Sequence, residues 1–214
     1  MTTKKSIQNG TAHRTTADRN SRGQRGVAAT GANIGENVQF CNALQKTLDK
    51  GAADVADQAK RYANNPPASQ AGFVAEADHC ATFNARKALG RSNVRAVREP
   101  NGNHGDFKIV KGRKVLVKGE MKYHATAEKT ENAMRGYGDR QLVGPADQID
   151  DIKDIAARKA AKNGASGNPI RRDVGREHEA VGKNAKDCIA DGKTTSTPRT
   201  SKEAKRIAKD ASKG

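Results

Sequence analysis

The sequence predicts an α/β protein: a small mixed β-sheet flanked by helices, preceded by N-terminal helices and bounded by basic, poorly ordered termini. Three observations carry this. Residues 104–124 read as two short strands around a tight turn. Apolar stripes at helical spacing lie before that hairpin, over residues 70–89, and after it, over 146–162. Large apolar residues are concentrated between those limits and thin out toward both ends.

Residues 1–32 are rich in Thr, Arg, Asn and Gly, which predicts a flexible basic arm. Asn33 with Glu36 three positions on matches a capping box, and Val38, Cys41, Leu44 and Leu48 follow at helical spacing. Gly51 is expected to interrupt this helix. Val55, Ala59 and Tyr62 continue on a second, weaker one until Asn64-Asn65-Pro66-Pro67 stops it. The pair packs either on the core or on a second copy in a homodimer.

Ser69 is expected to cap the helix over 70–89, and Gly90 to end it. Phe73, Ala77, Cys80, Ala81, Asn84 and Ala88 run along one side. Glu76 lies on or beside that stripe, where a purely structural helix has no need of an acid. The plain alternative is a surface glutamate paired with Lys or Arg. Val94, Ala96 and Val97 mark a short strand over 93–98, and Glu99-Pro100-Asn101-Gly102-Asn103 turns the chain back.

The hairpin follows. Phe107, Ile109 and Val110 sit before its turn, Val115, Leu116 and Val117 after it, and Gly112 supplies the positive φ. Asp106 opens the first strand. Glu120 and Lys122 close the second, two residues apart and so on one face. Two carboxylates and an ammonium therefore meet at one end of the sheet. Carboxylates so placed suit Mg²⁺ or Mn²⁺, hard cations that take oxygen donors and keep several waters. A lysine beside such a site orients or deprotonates an attacking water, or offsets charge on a phosphate. The plain alternative is an exposed hairpin with Glu120 paired to Lys118 or Lys122.

Residues 127–135 read as a helix and 137–143 as a short extended return. Pro145 then starts a helix over 146–162, with Ile149, Ile152, Ile155, Ala156 and Ala160 on one stripe and Asn163-Gly164 as the stop. From Ala165 onward, basic and small residues alternate. Weak helices over 173–189 and 201–212 have too few apolar positions to pack alone. They predict a nucleic-acid-contacting extension, ordered on binding, with Arg171, Arg172, Arg176, Lys183 and Lys186 as phosphate contacts. Aromatic residues to stack unpaired bases are scarce there, which favours backbone contact.

The chain has 214 residues, 34% of them hydrophobic and 3% aromatic, so it buries a compact centre rather than a core along its full length. A net charge of +16 points to a polyanionic partner: DNA first, RNA next, an anionic membrane surface after that. The bland alternative is charge that only solvates the protein. Cys41, Cys80 and Cys188 are far apart and odd in number, which fits a reducing cytoplasm and no zinc cluster. No stretch approaches the roughly 20 apolar residues of a membrane span, and the first residues lack the apolar run of a secretory signal.

Asp106 and the Glu120-Met121-Lys122 block resemble the signature of the PD-(D/E)XK nuclease superfamily, over residues about 70–125. The resemblance implies a restriction-endonuclease-like core and a Mg²⁺-dependent endonuclease acting on DNA. It implies Asp106 and Glu120 as metal ligands, the Met121 backbone carbonyl as a third, and Lys122 assisting the water. Glu76 matches the glutamate on the helix before the sheet that often joins the metal site. His104, His124 and Lys118 flank the cluster as outer-layer or phosphate contacts. On this reading the chain divides into a flexible basic arm (1–32), an N-terminal helical segment (33–65), a nuclease-like core (66–163) and a basic C-terminal extension (164–214). The order of Glu120-Met121-Lys122-Tyr123, Val143-Gly144-Pro145-Ala146-Asp147-Gln148 and the block from Gly175 to Glu179 is also similar to proteins of phages and other bacterial mobile elements, which places the chain in a bacterial host cytoplasm. The rivals are a non-catalytic DNA-binding or DNA-condensing protein, and an RNase or nuclease toxin.

Overall fold

A computed structural model describes residues 16–99 and 105–213, with side chains from residue 35 onward. The chain divides into two compact units, Met1–Asn42 and Ala43–Gly214. The first holds the N-terminal part of helix α1 (Thr16–Arg61); the second holds the rest of that helix and every other element. Residues 1–15 of the expected arm lie outside the described residues, and the remainder, from Thr16, is helical backbone. Asn33 lies inside α1, not at the start of a helix. Nor does Gly51 break the helix. A Cβ there would stand 2.8 Å from the Ala81 Cβ, so the glycine lets α1 lie close against the next helix.

That helix, α2 (Pro67–Leu89), starts with proline in its first turn, two residues before the expected Ser69 cap, and ends at Gly90. β1 (Val94–Arg98), β2 (Phe107–Lys111) and β3 (Lys114–Met121) form an antiparallel meander. Lys111 pairs with Lys114 across the turn, where Gly112 has φ 60°. Helix α3 (Ala127–Met134) returns the chain to β4 (Gln141–Val143), which lies parallel to β3 with Glu120 opposite Leu142. Helices α4 (Ile149–Gly164) and α5 (Pro169–Asn184) lead to β5 (Ala185–Lys186), parallel to β4. The main sheet is thus mixed, in the order β1-β2-β3-β4-β5. A second sheet pairs β6 (Ala190–Asp191) with β7 (Thr194–Thr195), and α6 (Ser201–Ala211) closes the chain behind a Thr200–Glu203 capping box.

Strand alternation sorts the side chains into two layers. Phe107, Ile109, Met121 and Val143 pack with Phe83, Ala75 and Ala71 of α2. Leu142 and Ala185 face the other way, with Met134, Ile152, Ala156 and Val181 of α3, α4 and α5. A buried ionic node ties these last three helices together. Glu131 of α3, fully enclosed, accepts from Lys159 of α4 at 3.0 Å and pairs with His178 of α5. On the α2 side, buried His79 lies between Ser196 Oγ (2.6 Å) and the Tyr123 hydroxyl (2.8 Å). Burial depresses the His79 imidazole to about 4.

Two expectations fail here. The core does not end at residue 163. β5 is a strand of the main sheet, Ile189 and Ala204 belong to the α2 cluster, and Ala208 packs with Ala59 and Val74. The C-terminal segment is part of the fold, because small residues at close-packed positions do the work that large apolar ones do elsewhere. Nor does Pro145 start a helix. Ala146 donates its N–H to the Arg199 carbonyl and α4 begins four residues after the proline, at Ile149. Gln148 at that cap spends its amide on the His124 carbonyl and Ser201, and accepts from Thr130. Cys41, Cys80 and Cys188 are free thiols. No helix among the described residues is long and apolar enough to cross a membrane.

Candidate active site

Two glycines set the site at the base of the hairpin. Gly105, φ 113°, passes so close to β3 that a Cβ would meet the Gly119 carbonyl oxygen at 2.5 Å. A Cβ on Gly119 would fall 1.9 Å from Cζ of the Phe107 ring. This contact brings Asp106 against β3, where its N–H donates to the Gly119 carbonyl at 3.0 Å and its Oδ2 accepts from the Met121 N–H at 2.8 Å. Alternation sends Met121 into the α2 layer and Glu120 the other way.

Lys122 connects the two acids. Its Nζ donates to Asp106 Oδ2 at 3.2 Å and to Glu120 Oε1 at 2.5 Å. The other Glu120 oxygen accepts from Arg140 Nη1 at 2.7 Å. Glu120 is only 4% exposed, so it is a buried carboxylate held by two cations, not a solvated residue of an open hairpin face. Tyr137 flanks the pair of cations, its ring centroid 5.4 Å from Lys122 Nζ and 4.9 Å from Arg140 Cζ.

Glu76 reaches the same end of the sheet from α2, with Arg98 of β1 at 3.5 Å. Burial, with the Asp106 charge behind it, pushes its carboxyl up to about 8, against Arg98 and Lys122 and with a further push from Glu120. At neutral pH Glu76 therefore favours its protonated form. Burial works against the Lys122 ammonium, but its hydrogen bond to Glu120 and the charges of both acids outweigh that and hold its pKa above the ordinary lysine value. Lys122 is a charged donor in this arrangement.

Asp106 and Glu120 are the side chains that could hold a divalent cation. The N–H and C=O of one strand residue point the same way, so the Met121 carbonyl also faces the Asp106 side. Two carboxylates and a carbonyl fit Mg²⁺, which takes one or two carboxylates and keeps waters. Among the described residues, no group of three or more His, Cys, Asp or Glu side chains is gathered as a ligand set.

The other expected residues divide. His104 lies outside the described residues. His124 is exposed; burial first, then Lys122 and Lys129, lower its pKa. Lys118 is exposed on β3 opposite Lys108. Arg176, Lys183 and Lys186 line a cleft of about 640 Å³ with Gln141, Glu179 and Arg140, the arginine that holds Glu120. Arg171 does not line this cleft, and Arg172 donates to the carbonyls of Ser166 and Gly167.

Arg98 and Arg140 carry no signal in the sequence. Arg140 meets Glu120 only because β4 pairs in parallel with β3, with Gln141 beside Gly119. Comparison with protein-family models, with curated proteins and with solved structures gives no match.

Proposed function

We propose that this protein is a metal-dependent nuclease that hydrolyses phosphodiester bonds of DNA. The observation that carries the reading is the single ammonium of Lys122 bonded to both Asp106 and Glu120. A protein that only binds or condenses DNA gains nothing from converging acids, one buried and one half-buried, which repel phosphate. Asp106, Glu120 and the Met121 carbonyl would hold Mg²⁺ or Mn²⁺, with Glu76, on giving up its proton, on a hydrated or second ion. Such an ion supplies a Lewis acid and lowers the pKa of bound water. Lys122, charged as it stands, orients the attacking water and offsets charge developing on the phosphate, and is not the base that takes the proton. Arg140 and the cleft beyond it supply cations for the phosphate backbone.

Plasmid cleavage with Mg²⁺ or with EDTA tests this. Asp106→Asn, Glu120→Gln and Lys122→Ala are expected to lose metal-dependent cleavage while remaining folded. DNA binding without metal persists in all three, and tightens in the two acid variants as a negative charge facing phosphate is removed. Cleavage that survives Lys122→Ala, or a wild type that binds DNA without cutting it in Mg²⁺ or Mn²⁺, overturns the reading.

A further inference from the structure

The tip of the β2–β3 hairpin has no part in the site at its base, and its chemistry is one-sided. Between Asp106 and Glu120 the sequence contains no acid. Lys108 is paired with Glu99, but Lys111, Arg113, Lys114 and Lys118 are exposed and have no acidic partner among the described residues. Val115 and Leu116 stand among them, 43% and 39% exposed, on a strand whose inner half is buried. Exposed aliphatics ringed by unpaired cations mark a surface made for an anionic partner with an apolar component.

We infer that this hairpin is a ribbon that enters the major groove of duplex DNA. Lys111, Arg113, Lys114 and Lys118 contact phosphates on the groove walls, while Leu116, between Lys114 and Lys118 on one face of β3, touches base edges and thymine methyls. Dimensions favour it: a two-stranded ribbon fits a B-form major groove about 12 Å wide and not the deep, narrow groove of duplex RNA. The tip has no aromatic residue to stack unpaired bases, which argues against single strands. At about 3.3 Å per residue, Arg113 lies about 23 Å along the strand from Glu120. Duplex seated on the tip therefore has phosphates within reach of the carboxylates at the base. The inference shares with the proposed function only the nucleic-acid partner.

Fluorescence anisotropy of the full chain in EDTA tests it, so that binding is read without cleavage and a failure here is separate from a failure of Lys122→Ala to stop cutting. The probes are duplex DNA two turns long, the matching single strand, duplex RNA of the same length, and vesicles rich in phosphatidylglycerol. Wild type is expected to prefer duplex DNA. Replacing Lys111, Arg113, Lys114 and Lys118 together by alanine should weaken duplex binding at least about tenfold and reduce the salt slope by about 3 to 4, at about 0.9 per phosphate contact. Leu116→Ser should weaken binding severalfold with the slope unchanged. Arg113→Glu alone, in a solvent-facing turn, gives the same directional result should the fourfold variant fold poorly. Unchanged duplex affinity and slope in these variants, equal wild-type affinity for single strands or duplex RNA, or binding to vesicles in place of DNA overturns the inference.

Discussion

Replacing Glu131 by alanine should destabilise the protein by about 3 kcal/mol. Glu131 is fully enclosed and faces both His178 of α5 and Lys159 of α4. Removing one partner of a buried ionic group costs about 3–5 kcal/mol, because the others stay buried without their counter-charge. Two features place this case at the lower end. The Lys159 side chain is 25% exposed, and it already lies 3.4 Å from Glu128, so it keeps an acid and some water. His178, buried on α5, loses its hydrogen-bond partner outright. With a urea m-value of about 2 kcal/mol/M, the midpoint should fall by about 1.5 M. Equilibrium urea unfolding followed by far-ultraviolet circular dichroism measures it. Glu131→Gln, which keeps the shape and an acceptor for His178, should lose about half as much. A midpoint shift under about 0.5 M for the alanine variant would mean that helices α3, α4 and α5 are held by their apolar contacts alone, and the node would then be incidental.

Gly119→Ala should cost more than about 3 kcal/mol, above the usual overpacking range, since the new methyl has to displace the enclosed Phe107 ring; a thermal melt within a degree of wild type refutes it. The acid of Glu76 gives a pH signature. Its pKa is raised from 4.5 to about 8 on folding, so the unfolded chain releases this proton first, and stability falls as pH rises between those values. Glu76→Gln removes that slope: the variant's melting temperature should gain on wild type from pH 5 to pH 8, and parallel curves would contradict the assignment. His79 acts in the opposite sense, its depressed pKa withdrawing stability as pH falls from 6.5 toward about 4, and His79→Gln should flatten that acid limb in the same melts.

The hairpin was legible because everything that specifies it is local. Alternating Phe107 and Ile109, a glycine at the turn, and acids at both ends need no knowledge of the rest of the chain. That local pattern is enough to bring Asp106, Glu120 and Lys122 to one end of the sheet. Arg140 is not placed by it, since its meeting with Glu120 is set by the register of a parallel strand twenty residues on. Gly51 illustrates the opposite error. Low helix propensity reads as a break, yet the residue is needed for the approach of Ala81, which no local pattern announces. The C-terminal segment was misread for a similar reason. Its buried positions include Ala185, Ile189, Ala204 and Ala208, scattered among Lys and Arg, and only their distant partners reveal them as interior.

The long reach of that segment has a consequence for synthesis. Arg199 forks onto Asp78 of α2 at 2.6 and 3.1 Å, its carbonyl accepts from Tyr123, and α6 covers the helix that carries Glu76. A chain made at about 5 to 20 residues per second exposes the hairpin several seconds before Arg199 exists. During that interval Asp78 faces water without its guanidinium and the α2 helix lacks part of its cover. The hairpin, with its cations and its two carboxylates, is on hand early; the seat for Glu76 is finished only once Arg199 and α6 have been made. Emergence of residues 199–211 from the ribosome is then the step that completes this end of the sheet.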